Sequence, residues 1–562
     1  MGLFEGLGIG MRGLHAAQTS IDVTGQNITN ANTEGYSRKK VDVQSESIND
    51  EVFGEKGIGV EVASISRVRD EFLDRQIWEQ LGDRGMSTEL NQAFIHLENI
   101  LKEPTDTGLS AQMNKFWASW QDLANNPSNL SAREAVKASA TVLTDTFHNS
   151  YKQIEDYGLS MNNPLATKAK SVNDMTLQIY NLNEKIAGVE SSPGQKANDA
   201  RDQRDLVIRK LSDLIDVQTV EDAHGRALVT SGGNLLVDSS VALQISTYGV
   251  DQTLSDGSQS SELRLKFTSS NKPFEPRSGS MRGIIDARSE VLAGYKEQLN
   301  SLAKSIVESV NSVHASGYTL NKVTGVMFFD SAHTKAGDMS LSSAVLSDSA
   351  NIAAAAGGKI VDAAAIAGPA GIPAVGSAVM DLKAINPAYQ NLTQGSVKLT
   401  TAVGAALVEG AGKDYIVDYE KGSITFLNPA SFTVADRPLN VKFSYNTTGF
   451  PGEGNGENAG NISKVRLSKV MSSTSGGGFL QTIGEYYSAV IGKMGIEKNQ
   501  NKSRLDTRSF LIGQMDSEQA SISGVSIDEE LTNMIKFENS YKASAKYIQT
   551  ISQMMETLMG IQ

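Results

Sequence analysis

Gly8, Gly10 and Gly13 stand in the spacing GxGxxG, which at a strand-to-helix turn lets a backbone wrap a dinucleotide pyrophosphate. The residues before Gly8 are too few for the required strand, and an apolar seven-residue row runs straight through the glycines. Small residues permitting close helix packing are the expected role. The histidines (His15, His96, His148, His224, His314 and His333) are scattered, without an HExxH or short His–His spacing, which argues against a metal site or imidazole acid–base chemistry. Asp202, Arg204 and Asp205 could form a polar catalytic patch. On a helix, however, Arg201 and Asp205 are i,i+4 neighbours, and a solvated ion-pair face is expected. Trp117 and Trp120 at helical spacing read as core. There is no GxSxG nucleophile elbow, and the absence of cysteine excludes disulfides, thiolate ligands and a thiol nucleophile. The sequence predicts no enzyme, no cofactor and no metal.

What the residue spacing does support is association. From Leu7, apolar residues recur every seven positions at Leu14, Ile21 and Ile28. A second series runs through Ile527, Met534, Tyr541, Ile548 and Met555. A companion row three positions later holds Phe537, Ser544, Ile551 and Leu558. A stripe repeating every ~3.5 residues keeps facing a partner helix only if the helices supercoil. These seam positions carry no charge, and both segments are expected to pair with each other and be held by neighbouring subunits. The competing expectation is two amphipathic helices packed on their own subunit.

The 562 residues allow several cores. Acidic residues outnumber basic ones, 64 to 51, for a net charge of −13, so no basic stripe for nucleic acid is expected. No apolar run reaches membrane-spanning length, and MGLFEGLGIG does not read as a Sec-type signal. A cysteine-free chain of this size suits export in an unfolded state.

Along the chain the period changes. Turn-rich Asn27–Lys40 ends the first helix, and Val41–Val62 alternates as short strands or extended chain. Asp70 to about Ile215 is helical, with connections at Asn125–Pro127, Asn163–Pro164 and Ser192–Gly194. Period two marks Asp216–Phe274. Helix returns at Leu292, Leu299, Ile306 and Val313. A second β segment, with strands near Tyr415–Tyr419, Ile424–Phe426 and Leu439–Tyr445, falls between about Gly357 and Gly452, and helix resumes near Gly478. The fold class is therefore α+β, multi-domain and elongated. Terminal coiled-coil helices (1–40 with 525–562) come first, then a helical body (41–215 with 285–356 and 453–524). β-rich domains at 216–284 and 357–452 stand at the outer tip.

Asn27, Asn30, Thr33, Gly35, Tyr36 and Arg38, in NITNANTEGYSR, fill the pattern N-x-x-N-x-x-T-x-G-Y-x-R. This resembles the signature of bacterial flagellar rod, hook and hook-associated proteins, with Glu34 where a proline often stands. LTNMIKFENSYKASAKYIQTISQMMETLMGI, from Leu531, resembles that family's axial C-terminal helix. Asn126–Phe147, Asp199–Ile215, Ser278–Leu292 and the segment holding Asn311, His314 and Gly317 narrow the resemblance to its hook-associated members. The resemblance stops near Gly357 and resumes near Gly454.

It implies a structural subunit joining hook to filament, extracellular, exported by the flagellar type III apparatus, with terminal helices that order on assembly. The implied partners are further copies in a ring or helical homo-oligomer, the hook protein, a second junction protein, filament subunits and an export chaperone. Neither nucleic acid nor membrane insertion is implied. The alternatives are a sibling axial protein (hook or rod), or an adhesin-like module in 357–452.

Overall fold

The computed structural model describes residues 3–50, 54–192, 194–356, 450–472 and 479–560. Between them it describes 360–362, 366–367, 378–385, 389, 392, 396–401, 405–409, 414–418, 423–427 and 440–446. Tyr419, Leu439 and most of the Ala/Gly-rich stretch after Gly357, part of the expected second β segment, lie outside these residues.

Helix α1 (Leu3–Thr29) is followed by an antiparallel hairpin of β1 (Lys39–Asp50) and β2 (Gly54–Arg67). Read from sequence as short pieces of the helical body, these residues instead make one long bulged hairpin lying along α1. It is tied there by Arg12–Glu46 (2.6 Å), Lys56–Glu5 (2.6 Å) and Arg12 Nη1 donating to the Ile58 carbonyl (3.1 Å).

The body begins at α2 (Glu71–Leu101), whose N-cap Asp70 accepts from the Phe72 and Leu73 amides. It continues through α3 (Leu109–Asn125), α4 (Leu130–Ser160), α5 (Asn162–Glu190) and α6 (Asn198–Leu214). The break between α2 and α3 was not legible. Lys102 caps α2 in the left-handed region (φ 52°), a conformation that residue type does not advertise. Pro164 falls in the first turn of α5 rather than between helices, where its missing N–H costs nothing.

Strands β3 (Gln218–Glu221), β4 (Ala227–Ser231) and β5 (Asn234–Val237) form a three-stranded sheet, and β6 (Ile245–Thr253) pairs with β7 (Gln259–Phe267). Helix α7 (Gly279–Asp286) then runs through a π-helical turn into α8 (Ala293–His314). Gly85 on α2 and Gly283 on α7 let these helices touch. A Cβ on Gly283 would sit 2.7 Å from the Met86 carbonyl oxygen. Short α9 (Ser343–Ser347) precedes the second β segment.

In that segment, β10 (Ser423–Phe426) pairs with both β8 (Ala378–Asp381) and β9 (Tyr415–Asp418), beside one-turn α10 (Leu382–Ile385). Its core, which includes Leu399, Tyr415, Ile424 and Phe426, is separate from that of the body. Helix α11 (Glu457–Lys464) returns the chain to the body. Helix α12 (Ile483–Ser523), opened by a Thr482–Glu485 capping box, runs along α2. With 41 residues it spans about 60 Å. Helix α13 (Ile527–Met559) then packs on α1.

The body core is aromatic. Trp120 and Phe116 are fully buried, with the Trp120 and Phe328 rings edge-on at 5.0 Å. Trp117 is buried with them, so both tryptophans are core.

Candidate functional site: where the two chain ends meet

The α1–α13 seam is built from small residues. Gly6, Gly10, Ala17, Ser20, Thr24 and Asn27 are buried, with Gly13 half-buried. The predicted row one position along, Leu7, Leu14, Ile21 and Ile28, is half-buried. A Cβ on Gly10 would lie 2.6 Å from Ile548 Cγ1, one on Gly6 3.2 Å from Ile551 Cδ1, and one on Gly13 3.0 Å from Ser544 Oγ. The glycines of the GxGxxG spacing thus lie within a helix, and Gly10 and Gly13 admit α13. The hydroxyls of Ser20 and Thr24 return to the carbonyls of Ala16 and Ser20 (both 2.8 Å), which lets them be buried without outside partners.

On α13, Met534, Phe537, Ser544, Ile548 and Met555 are half-buried and Ile551 is buried, while Ile527, Tyr541 and Leu558 are exposed. Much apolar surface here is exposed among the described residues. Phe4 and Met11 on α1 are exposed, as are Leu531, Ile535 and Met559 on α13.

The motif residues close one end of this pair, where α1 ends and α13 begins. Thr33 donates its amide to the Asn30 carbonyl (2.9 Å) and its hydroxyl to Asn30 Oδ1 (3.2 Å). Gly35 takes φ +79°, with Leu206 of α6 packed where a side chain would be. That turn delivers Tyr36, whose hydroxyl donates to Asn27 Oδ1 (2.9 Å). Asn27 Oδ1 also accepts from the Lys39 amide (3.0 Å). Its Nδ2 donates to the Lys39 carbonyl (2.8 Å) and to Glu530 Oε2 (2.9 Å). Arg38 Nε donates to Glu530 Oε1 (2.8 Å), and the Arg38 amide donates to the Ser523 carbonyl at the end of α12 (2.9 Å). Burial, reinforced by Asp199, Asp202 and Glu530, pushes the Tyr36 phenol up to about 12, so it remains a donor.

Below the turn lies a largely buried charge cluster. Arg67 binds Asp202 (2.9 Å) and Asp205 (2.8 Å), and the Ser37 amide donates to Asp202 (3.1 Å). Arg69 bridges Asp74 (2.5 Å) and the Ser37 hydroxyl (3.1 Å). Burial pushes the Asp74 carboxyl up, more than Arg69 pulls it down. The α6 acids expected on a solvated face are therefore inside, as is Arg204 at 2% exposure. Arg201 pairs not with Asp205 but with Glu190 (2.7 and 2.9 Å) and Glu221. Burial alone would raise Glu190, yet the hydrogen bonds from Arg201 and the Ala197 amide bring it down to about 2.

Sequence reasoning missed Glu530. It lies one heptad before Phe537, so extending that row backwards would have found a charge in the seam. The partners of Asp202 and Asp205 come from the hairpin, more than 130 residues away, beyond any helical spacing rule.

The cluster offers mechanical rather than chemical possibilities: its acids and bases neutralise each other between structural elements. His314 is likewise structural. Its Nδ1 meets the Val326 carbonyl (2.6 Å), its Nε2 accepts from the Ala353 amide (2.8 Å), and burial brings it down to about 4. Among the described residues no cluster of His, Cys, Asp and Glu could hold a metal ion, and no helix is long and apolar enough to cross a membrane.

Residues 94–329 match a model of the flagellar hook-associated protein FlgK helical domain. Residues 7–36 match one of a flagella basal body rod protein, and residues 519–561 one of the flagellar basal body rod FlgEFG protein C-terminal. The chain is 25% identical to "Flagellar hook-associated protein 1" of Bacillus subtilis over 99% of its own length and 98% of the relative's. It is also 25% identical to the proteins of that name from Salmonella typhimurium and Escherichia coli, over 98% of each chain. A solved structure, of the flagellar hook junction protein FlgK from Burkholderia pseudomallei, superposes with a TM-score of 0.56 at 19% identity. It covers 80% of this chain and 100% of that one. That likeness supports the α+β elongated architecture.

Proposed function

The chain belongs to the flagellar hook-associated protein family, and from that premise we propose that it is a structural subunit of the bacterial flagellum at the junction of hook and filament. The observation that carries this reading is the seam itself. The rod-type segments at the two ends of the chain, 7–36 and 519–561, fold against each other and lock through the motif at Asn27–Arg38. They still leave a large apolar surface bare. Such a surface asks for neighbours of the same kind. Isolated helices are marginal in water, so their ordering couples to burial against adjacent subunits.

On this reading the subunit is exported through the flagellar type III apparatus with the help of a chaperone, and acts outside the cell without catalysing a reaction. Its partners are further copies of itself, the hook protein below, and a second junction protein and filament subunits above. The motif residues and the apolar rows of α1 and α13 are the assembly residues. The β-rich domains face outward.

Electron microscopy of flagella from cells lacking this protein tests the role. Hooks without attached filaments are expected, and filaments still seated on hooks would refute it. Removing Met1–Asn32 or Leu531–Gln562 should leave the body folded and abolish incorporation.

A further inference from the structure

The α1–α13 seam has a selectivity problem. Gly6, Gly10, Gly13 and Ala17 make α1 a smooth groove, and Ile548 and Ile551 fill it without directional bonds. Contacts of this kind would accept many apolar helices, including a second α1 or a second α13. Among the described residues, the hydrogen bonds that tie the N-terminal segment to α13 converge on the first turn of α13. Glu530 accepts from Asn27 and Arg38, and Arg38 also reaches Glu529 at 3.4 Å.

We propose that Glu530 is the specificity residue by which the two ends of the chain recognise each other. Its carboxylate is buried at 2% exposure, and Asn27 is buried at 1%. Each supplies what the other lacks: Asn27 Nδ2 a donor, Glu530 two acceptor oxygens. Pairing α1 with α1 in the same antiparallel sense would set Asn27 against the Gly6 end of the other helix, with no carboxylate to accept from it. Pairing α13 with α13 in the same antiparallel sense would bury Glu530 without Asn27 or Arg38, leaving an uncompensated charge in a desolvated seam. Discrimination therefore comes from what the wrong pairs leave unsatisfied, as in helix pairs whose partner is fixed by one buried polar position.

The site is also pre-organised on both sides. Asn27 is held by Tyr36 and by both backbone groups of Lys39. Glu530 sits in the first turn of a helix capped by Ser526, where the amide dipoles favour a negative charge. The Arg38 amide is fixed to the last turn of α12. The motif residues Asn27, Tyr36 and Arg38 thereby acquire one shared task, presenting a socket for a carboxylate some 500 positions along the chain.

Because the chain has no cysteine, disulfide trapping can read this pairing directly in the full-length protein. A Cβ on Gly13 lies 3.8 Å from Ser544 Cβ, within the ~3.5–4.5 Å a disulfide spans. The double substitution Gly13→Cys with Ser544→Cys should give an intramolecular cross-link. Gly13→Cys with Ile551→Cys, a heptad out of register, should give little.

Adding Glu530→Leu should lower the Gly13/Ser544 cross-link at least fivefold and raise intermolecular dimers of the single Gly13→Cys protein. The body melting temperature should not move. Asn27→Leu should cause a similar loss, and the Asn27→Leu, Glu530→Leu pair little more than Glu530→Leu alone, since each breaks the Asn27–Glu530 contact. Glu530→Gln, which keeps one acceptor oxygen, should restore part of the yield. A Glu530→Leu yield within twofold of the native background, additive losses, or equal trapping of the in-register and out-of-register pairs would overturn the proposal. None of these readouts depends on where the protein is incorporated, so they fail or succeed independently of the flagellar role.

Discussion

The helical body and the terminal helix pair solve the same packing problem in opposite ways. The body buries large side chains from many elements: Trp120, Phe116, Phe147, Phe328 and Leu165 are all inaccessible, and the rings meet edge-on. The terminal pair instead brings two backbones close through glycine, alanine and serine, leaving its large apolar residues outside. Met11 is 60% and Leu558 62% exposed. A core of the first kind is complete within one chain. A two-helix seam of the second kind leaves large apolar side chains outside, and on the proposed role neighbouring subunits supply the rest of the stabilisation. On the proposed assembly role, the difference teaches that the exposed apolar residues at the ends are the surface offered to neighbouring subunits, while the charge cluster beneath Ser37 ties the terminal pair to the body.

The largest effect should come from the body. Trp120→Ala removes a fully buried indole and should cost about 3–5 kcal/mol, read as a lower melting temperature of the whole helical body. If that substitution left the melt unchanged, the contrast between the regions would fail at its stronger side.

Acid should come next, and also act on the body. His314 is held neutral, its folded pKa lowered to about 4 from 6.5. The unfolded chain therefore binds its proton first. This contribution to stability is full above about pH 6.5 and is lost as pH falls towards 4, on the order of 3 kcal/mol by linkage. Thermal melts across that window should show the loss, with hydrogen exchange rising first around Val326 and Ala353. A His314→Gln protein should have a flatter pH profile there.

Gly10→Val should have a smaller and more local effect. The added side chain meets Ile548 at contact distances too short to keep, an overpacking cost of about 1–3 kcal/mol. Here α1 and α13 should separate while the body melt stays put, and incorporation should fall sharply. Leu558→Ser should change the free chain least, within about 0.5 kcal/mol. Its effect should appear only in assembly, as fewer incorporated subunits. A stability loss in the free chain would mean that Leu558 is already buried there.

Much of this architecture was legible because it rests on local period. The change from helical stripes to alternation at Asp216, the return to helix before Leu299, and the core role of Trp117 and Trp120 follow from spacing within one turn or strand. The motif at Asn27–Arg38 was legible too, but not what its side chains grasp. The true α1 seam was displaced by one residue because a search for large apolar positions passes over Gly6, Gly13 and Ser20, whose value is their smallness. Asp202 and Asp205 looked solvated because Arg67, at the end of the hairpin, and Arg69, just beyond it, reach them from far away in sequence. Glu530 was hidden for a related reason: one carboxylate in an apolar row looks like the end of the seam until Asn27 is placed against it.

Hydrogen exchange of the same full-length chain, free and incorporated into flagella, tests the contrast most directly. In the free subunit, amides of α1 and α13 should exchange orders of magnitude faster than those of α3, α4 and α8, and should become protected on incorporation while the body changes little. Terminal helices as protected as α4 in the free chain, or unchanged by incorporation, would contradict the account.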